Sequence, residues 1–206
     1  MKKTIVLFLT AFAIMSFNTI TVDDKPFVVI VDAGHGGEDS GSQKDGVEEK
    51  ELTFSVAKKL RELGDEKEIK IILTRRNDGA MTITDRIDLT NDFRGDLLIS
   101  IHVNADAKDS RSGIDCYVSE SNIQNGESKE FGDILINNLK SVKGIGVNEI
   151  KTANFNLLEK TEIPSVLIEL GYLTSTNDFN FITDNDNQDI LAEKIFVSIK
   201  EFKNLK

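Results

Sequence analysis

Four runs of five or six mainly apolar residues recur along the chain, separated by longer stretches of mixed polarity. Such runs are continuous rather than alternating, which is typical of strands buried on both faces of a sheet. They predict four buried strands, at 27–31 (FVVIV), 69–74 (IKIILT), 97–101 (LLISI) and 165–169 (SVLIE).

Between these runs, apolar residues recur every three or four positions, the spacing of one face of an α-helix. A further stretch, 82–93, is also predicted to be helical, with Ile83 and Ile87 facing inward. Strands that alternate with helices predict a layered α/β domain around a largely parallel sheet. The three apolar stripes are Leu52, Val56, Leu60 and Leu63; Phe131, Leu135 and Leu139; and Leu191, Ile195, Ile199 and Phe202.

The first residues differ from the rest of the chain. Lys2 and Lys3 precede a largely apolar run, 5–17, which is short for a membrane span and fits a secretory signal peptide. We therefore predict a signal peptide over 1–21, with a buried or anchoring N-terminal helix as the alternative. The remainder, 22–206, has a suitable length for one domain, and we expect no membrane insertion once the signal is removed.

The charge balance argues against one class of partner. The net charge is −10, and removing 1–21 takes away two lysines and no acidic residue, which leaves −12. Because nucleic-acid binding depends on Lys and Arg neutralising phosphates, we expect no nucleic-acid partner. Cys116 is the only cysteine, so no internal disulfide is possible, and we expect it to be a small core residue on a strand.

Polar side chains follow three of the predicted strands where each strand ends. FVVIV leads into Asp32 and His35, LLISI into His102 and Asn104, and SVLI into Glu169. Ligands of open α/β sheets bind outside the carboxyl ends of the strands, and parallel pairing would gather His35, His102 and Glu169 there. A single histidine in such a place is more often a hydrogen-bonded core residue. Because both histidines of the protein lie there, we interpret them as a metal-binding or catalytic pair.

A third metal ligand is expected at the start of the next helix, in the segment GVEEKELTF (46–54). At 100° per residue, Glu49 lies within about 60° of the apolar stripe, whereas Glu48 lies up to about 120° from Leu60. A carboxylate aimed inward must be paired, protonated or metal-bound. The alternative is an ordinary acidic residue in a first helical turn; the two histidines favour the metal ligand.

Two histidines and one glutamate form a ligand set suited to catalytic Zn²⁺, with a fourth position left for water. Glu169 is then the free carboxylate that takes the proton of the water and passes it to a leaving nitrogen. Competing catalytic schemes lack their residues in this sequence. It has no helical HExxH motif, no GxSxG elbow and no Walker lysine, and Cys116 lies within a strand.

Five segments follow one another along the chain: VVIVDAGHGGEDSG, VEEKELTF, TRRND, LLISIHVNA and IPSVLIELGYLTSTND. In this order they resemble the signature segments of the zinc-dependent N-acetylmuramoyl-L-alanine amidases of bacterial cell walls. The resemblance covers nearly all of 27–203. Ala33 stands where the family often has proline, and Thr90–Asn91 replaces a usual Ala-Asn pair.

The resemblance implies zinc ligands at His35, Glu49 and His102 and a catalytic glutamate at Glu169. It implies hydrolysis of the amide between N-acetylmuramic acid and L-alanine in peptidoglycan or muropeptides, which removes stem peptides from glycan strands. The implied fold is a single α/β domain with a twisted, mostly parallel sheet flanked by helices on both faces. We expect an exported monomer, in the periplasm or in the extracellular cell wall.

Two alternatives remain at this level: another zinc-dependent amide hydrolase of the wall (a peptidase or deacetylase), and a non-catalytic wall-binding regulator. The supporting residues also have two interpretations each. Asp32 and Asn104 either orient ligands and substrate or serve local turns. Arg75 and Arg86 either pair with structural carboxylates, which we favour, or bind a stem-peptide carboxylate. The sequence further predicts a turn residue at Asp39 and a loop-closing role for Asp178.

Overall fold

The structure is a computed structural model and describes residues 25–64, 68–106 and 111–206. The segment 1–21, predicted to be a signal peptide, lies outside the described residues. The strands are β1 Phe27–Ala33, β2 Gln43–Lys44, β3 Val47–Glu48, β4 Ile69–Leu73, β5 Leu97–Asn104, β6 Ile114–Val118, β7 Val147–Thr152 and β8 Ser165–Tyr172. The helices are α1 Glu49–Leu63, α2 Ile83–Phe93, α3 Asn125–Leu139, α4 Asn156–Lys160, α5 Thr176–Ile182 and α6 Asn185–Lys203.

Six strands form one sheet in the order β4-β1-β5-β8-β6-β7, and β2 and β3 form a separate short hairpin. The pairs β1–β4, β1–β5, β5–β8 and β6–β7 are parallel, and β6–β8 is antiparallel. The α/β class and the mostly parallel sheet are therefore confirmed. All four strands predicted from apolar runs exist, as β1, β4, β5 and β8, and they lie side by side.

The two faces of the sheet are covered unequally. The larger core lies under α1, α3 and α6, whose apolar stripes are buried as predicted except Leu63, which is 37% exposed. On the other face, α2 and α4 cover a smaller cluster built on Ile30, Leu98 and Leu157. Burying each large apolar side chain contributes roughly 1.5–3 kcal/mol, so the larger core supplies most of the hydrophobic stabilisation.

The inward face of α2 is only partly the predicted one. Ile87 is half-buried and packs against the smaller cluster, as predicted, but Ile83, also expected to face inward, is 51% exposed. The fully buried positions of the helix are Arg86 and Thr90. The reason is that the long Arg86 side chain runs under the helix to a buried carboxylate, Asp32. The face of α2 that meets the sheet is therefore partly polar.

In the described part of the chain, none of the helices combines the length and the apolar character that crossing a membrane requires.

Candidate metal centre

The loop after β1 owes its glycines to the side chains that pack on it. A Cβ atom on Gly34 would lie 2.4 Å from Cε1 of His102, and one on Gly41 would lie 2.5 Å from Oε2 of Glu49. Both distances are far below van der Waals contact, so only glycine allows these side chains to come so close. His35 itself has φ of 62°, a left-handed conformation that is uncommon for residues other than glycine. The loop is thus shaped around the predicted ligands.

The structure brings His35, Glu49 and His102 together. Oε1 of Glu49 lies 3.1 Å from Nε2 of His35 and 3.0 Å from Nδ1 of His102. The two imidazole rings have centroids 5.0 Å apart and are nearly perpendicular, at 80°. One candidate ligand atom from each residue lies within 4.8 Å of the others. Three elements of the chain, the β1 loop, α1 and β5, therefore converge on one point.

Glu49 points inward, as the helical phase predicts, and is 3% exposed, whereas its neighbour Glu48 is partly exposed and pairs with Lys50. The Glu49 carboxylate accepts hydrogen bonds from the backbone N–H groups of Ser42 (2.9 Å) and Val103 (3.0 Å). Burial opposes ionisation, but the hydrogen bonds from the two histidines outweigh it and hold the pKa of Glu49 well below its usual range. Glu49 is thus an anionic group in a buried place.

Asp39 does more than the turn role predicted for it. Its Oδ1 accepts a hydrogen bond from the backbone N–H of Gly41 (3.1 Å), which closes the turn, while Oδ2 lies 2.8 Å from Nδ1 of His35. This contact occupies Nδ1 and leaves Nε2 directed at Glu49. Hydrogen bonding to Glu49 is the largest cause that raises the pKa of His35, to about 9; Asp39 adds to it. Sequence reasoning missed this second partner of the histidine.

Asp32 and Arg86 form a buried pair beneath the loop. Thr74 Oγ1 and Ser100 Oγ donate to Asp32 at 2.7 and 2.9 Å, and the Arg86 guanidinium contacts the same carboxylate. Burial raises the pKa of Asp32, but Arg86 and the hydroxyl donor outweigh it, so the pKa lies below its ordinary value. Arg86 also donates to the backbone carbonyl of His35 at 2.7 Å. The favoured structural interpretation of Arg86 is therefore confirmed.

Arg75 is also hydrogen-bonded within the protein, but to backbone carbonyls rather than to the carboxylate expected from the sequence. It donates to the carbonyls of Ala33 (3.0 Å), Gly34 (3.2 Å) and Lys50 (2.7 Å). Together with Arg86 it holds the loop at the end of β1 against the start of α1. Such fixed donors keep the ligand side chains in place.

Glu169 lies beside the cluster, because its Cα is paired with that of His102 between β8 and β5. Its Oε2 atom is buried and has no hydrogen-bond partner among the described residues. Burial is the main cause that raises the pKa of Glu169, to about 7, with Glu49 and Asp115 adding to it and the histidines opposing. A carboxyl group with such a pKa can take up and release a proton near neutral pH.

A cleft of about 560 Å³ opens above these groups, with His35, His102 and Glu169 on its floor. Most of its wall is apolar. One side is formed by Met81 and Ile83 at the start of α2, and the other by Asn154, Phe155, Asn156 and Leu157 at the start of α4. Sequence reasoning missed the second wall, since it follows a polar edge strand; the exposed Phe155 is the signal that marks it.

Three further expectations have clear outcomes. Asn104 serves a local turn, because its Oδ1 accepts from the N–H of Ala105 at 2.8 Å. Asp178 closes a loop, as predicted, by accepting from the backbone N–H groups of Gly113 (2.7 Å) and Tyr172 (3.0 Å). Cys116 is fully buried in the core, also as predicted, and burial raises the pKa of its thiol to about 12.

Comparison with known proteins gives the same family over most of the chain. Residues 29–201 match the family model described as N-acetylmuramoyl-L-alanine amidase. N-acetylmuramoyl-L-alanine amidase CwlM of Bacillus licheniformis is 31% identical over 152 residues, which cover 73% of this chain and 58% of that protein. The chain thus spans less than two thirds of the length of this relative.

Two solved structures share the architecture. The N-acetylmuramoyl-L-alanine amidase from Clostridium difficile 630 is 30% identical, with a TM-score of 0.83 over 88% of this chain and 99% of that one. The CwlD amidase from Clostridioides difficile, solved in complex with the GerS lipoprotein, is 27% identical, with a TM-score of 0.80 over 87% and 99%. The fold, the family match and these likenesses agree, and the chain belongs to the N-acetylmuramoyl-L-alanine amidase family.

Proposed function

We propose that this protein is a zinc-dependent amidase that hydrolyses the bond between N-acetylmuramic acid and L-alanine in peptidoglycan. The observation that carries the proposal is the convergence of His35, Glu49 and His102 beside Glu169, whose buried carboxyl oxygen has no partner among the described residues. The family match supports the choice of substrate and bond.

The donor set fits zinc in both chemistry and spacing. Two imidazoles and one carboxylate are the ligands of many catalytic zinc sites. Ligands of a tetrahedral zinc ion, at their usual distances from the metal, lie about 3.3 Å from one another. The Glu49 oxygen lies 3.1 and 3.0 Å from the facing histidine nitrogens, and all three candidate ligand atoms lie within 4.8 Å of one another. We infer that Nε2 of His35, Oε1 of Glu49 and Nδ1 of His102 hold the metal.

Zinc bound by these residues supplies a Lewis acid that polarises a carbonyl oxygen and makes a water molecule more acidic. The chain's own contribution is proton transfer at Glu169. Glu169 lines the cleft and its carboxyl group has a pKa of about 7, so it accepts a proton from the attacking water and returns it to the leaving amide nitrogen. Nδ1 of His35 lies 2.8 Å from Asp39, and a proton held on Nδ1 by this carboxylate leaves Nε2 free to bind the metal.

The cleft positions the substrate. Its apolar walls around Ile83 and Phe155 suit the carbon-rich faces of an amino sugar and its lactyl group, and the flanking Asn154 and Asn156 offer amide groups to sugar hydroxyls. The scissile amide then lies on the floor, between the two histidines and Glu169. This places the reacting bond and the proton-transfer group in one enclosure.

We further propose that the protein is exported and acts as a monomer in the periplasm or cell wall. The predicted signal segment 1–21 and a substrate that lies outside the cytoplasmic membrane support export.

Digestion of defined muropeptides, with the products weighed by mass spectrometry, tests the proposed activity. We expect a glycan product that keeps its lactyl group and a stem peptide with a free L-alanine amino group, and a chelator should abolish both. Release of shorter peptides or of deacetylated sugar, with the lactyl–alanine bond intact, would contradict the proposal in favour of a peptidase or deacetylase.

A further inference from the structure

The sheet continues beyond Glu169 with a face that the two cleft helices leave uncovered. Asp115 on β6 is paired with Glu169 on β8, and Tyr117 is paired with Leu167 on one side and with Lys151 of β7 on the other. Side chains in register on neighbouring strands point to the same face. Tyr117 and Lys151 therefore share the face of the sheet that carries the cleft.

A polar hollow of about 570 Å³ lies on this face. We refer to it as the basic hollow, because two cationic side chains, Arg111 and Lys151, line it. Arg111 is 66% exposed and Lys151 is 42% exposed, so both cations meet solvent. The residues of the basic hollow are Arg111, Ser112, Tyr117, Asn148, Lys151 and Tyr172.

The basic hollow is built on a buried carboxylate. Asp115 is fully buried and accepts hydrogen bonds from Tyr172 Oη (2.6 Å), Lys151 Nζ (2.7 Å) and Asn148 Nδ2 (2.8 Å). Lys151 also lies over the ring of Tyr117, 5.6 Å from its centroid. These contacts fix the lysine in place, which lowers the entropic cost of using it to bind a ligand.

The two arginines beneath the cleft are buried. Arg86 pairs with Asp32 and Arg75 donates to backbone carbonyls, so neither can reach a substrate carboxylate. Arg111 and Lys151 also have partners: Arg111 lies 3.5 Å from Asp106 and is hydrogen-bonded to Tyr172, and Lys151 pairs with Asp115. Both nevertheless remain partly in solvent and line one hollow, so an anion that enters it can interact with both cations.

The spacing suits a short acidic peptide. Lys151 is in register with Tyr117, which is opposite Leu167, so it lies two strands across the sheet from β8 and two residues along it from Glu169, about 12 Å away between Cα atoms. Two residues of extended peptide span about 7 Å, and the lysine and arginine side chains bridge the rest. A carboxylate one or two residues beyond an amide held at Glu169 therefore comes within reach of the basic hollow.

We propose that the basic hollow binds a carboxylate of the substrate's peptide, so that the peptide crosses β6 and β7 while the sugar occupies the apolar cleft. This inference rests on the proposed function, since it takes the scissile amide to lie beside Glu169. It makes Arg111 and Lys151 specificity-determining residues that favour peptides with a free carboxylate over amidated ones.

Binding of two matched peptides tests the inference without any cleavage. The probes are L-Ala-γ-D-Glu-L-Ala amide, whose α-carboxylate is its only carboxylate, and the same peptide with that group as a carboxamide. Titrations followed by NMR should show at least tenfold tighter binding of the carboxylate form to the wild-type protein. The preference should fall to near one in Arg111→Gln and Lys151→Gln and persist in Arg111→Lys. Arg61→Gln, which removes an exposed charge from the distant end of α1, is the control and should leave it unchanged.

Equal affinity of the wild-type protein for the two peptides, or a preference that survives Arg111→Gln, would overturn the inference. The same two peptides, each attached to N-acetylmuramic acid, distinguish failure of this inference from failure of the proposed function. Cleavage of both conjugates with equal KM would support the proposed amidase activity and refute the proposed role of the basic hollow. Tighter binding of the carboxylate form without cleavage of either conjugate would support the role of the basic hollow and refute the proposed amidase activity.

Discussion

Glu169 lies directly opposite His102 in the register between β8 and β5. Neighbouring parallel strands are about 4.8 Å apart, so the predicted proton-transfer group and one predicted ligand stand side by side at the same edge. Oε2 of Glu169 is buried and has no hydrogen-bond partner among the described residues. A buried polar group that the fold leaves without a partner is costly, and a functional role accounts for it.

Replacing this carboxyl group should separate catalysis from metal binding. In Glu169→Gln we expect kcat to fall by about 10²–10⁴-fold, because the proton acceptor is lost while the shape is kept. Zinc content per protein, measured by atomic emission, should stay at the wild-type level. Glu120→Gln, at an exposed position, serves as the control. Loss of zinc together with activity would mean that Glu169 is itself a ligand.

Gly34→Ala should disturb the metal centre through His102. The added Cβ would lie 2.4 Å from Cε1 of that imidazole, so the ring must move. Overpacking of this kind costs about 1–3 kcal/mol, and we expect weaker zinc binding in a chelator competition and a lower Tm. Gly126→Ala is the matched control, since a Cβ there meets nothing within 4 Å. Wild-type zinc affinity in Gly34→Ala would contradict the geometry of the centre.

Asp39→Ala should weaken zinc binding without unfolding the protein. The residue is exposed, and its role is to hold Nδ1 of His35 at 2.8 Å. Loss of a carboxylate that orients a ligating histidine typically lowers metal affinity by about 10–100-fold. Glu38→Ala removes a neighbouring exposed carboxylate that makes no such contact and should bind zinc normally. An equal effect in both variants would point to loss of charge rather than of orientation.

The buried pair of Asp32 and Arg86 should make stability depend on pH at the acid end. The unfolded pKa of aspartate is about 3.9, and that of Asp32 in the folded protein is lower. The stabilisation is therefore present above pH 4 and is lost as the pH falls through the folded pKa. We expect Asp32→Asn to cost about 3–5 kcal/mol at pH 7, because it leaves Arg86 buried and unpaired.

Urea denaturation of the wild type and Asp32→Asn at several values between pH 7 and pH 3 measures this contribution. The difference in the free energy of unfolding between the two proteins should narrow as the pH falls below 4. Asp92→Asn, at an exposed position, is the control and should follow the wild type throughout. A difference in unfolding free energy that stays constant down to pH 3 would show that Asp32 keeps a normal pKa in the folded protein.

The parts of the fold that were predictable are those where burial leaves a pattern. The interior strands β1, β5 and β8 are buried at nearly every position and are mainly apolar, and the edge strand β4 is mainly apolar with alternate positions buried. The other edge strand, β7, is half-exposed and mixed in composition. The inward direction of Glu49 follows from helical phase alone. These features are determined by residues close together in the sequence, and the spacing of apolar residues therefore predicts them.

The features that were not predictable depend either on a partner far along the chain or on an unusual local backbone conformation. Ile83 was expected inside, but the inward face of α2 is set by Arg86, whose partner Asp32 lies 54 positions earlier. The contact of Asp39 with His35 forms in a loop where that histidine has a left-handed backbone. Neither a distant ion pair nor a single unusual φ angle changes the spacing of apolar residues, so pattern reasoning does not detect them.

Phe155 should contribute to substrate binding rather than to the chemical step. It is 37% exposed, lines the cleft, and is held edge-to-face by Tyr117 with ring centroids 5.5 Å apart. A ring fixed in this way offers a flat apolar surface to a sugar, and its removal loses about 1–2 kcal/mol of contact. We expect Phe155→Ala to raise KM for muropeptides by about 5–30-fold with little change in kcat. Phe93→Ala removes a similarly exposed phenylalanine at the far end of α2 and controls for general loss of apolar surface. A fall in kcat at unchanged KM would place Phe155 in the reacting geometry instead of in the sugar-binding wall.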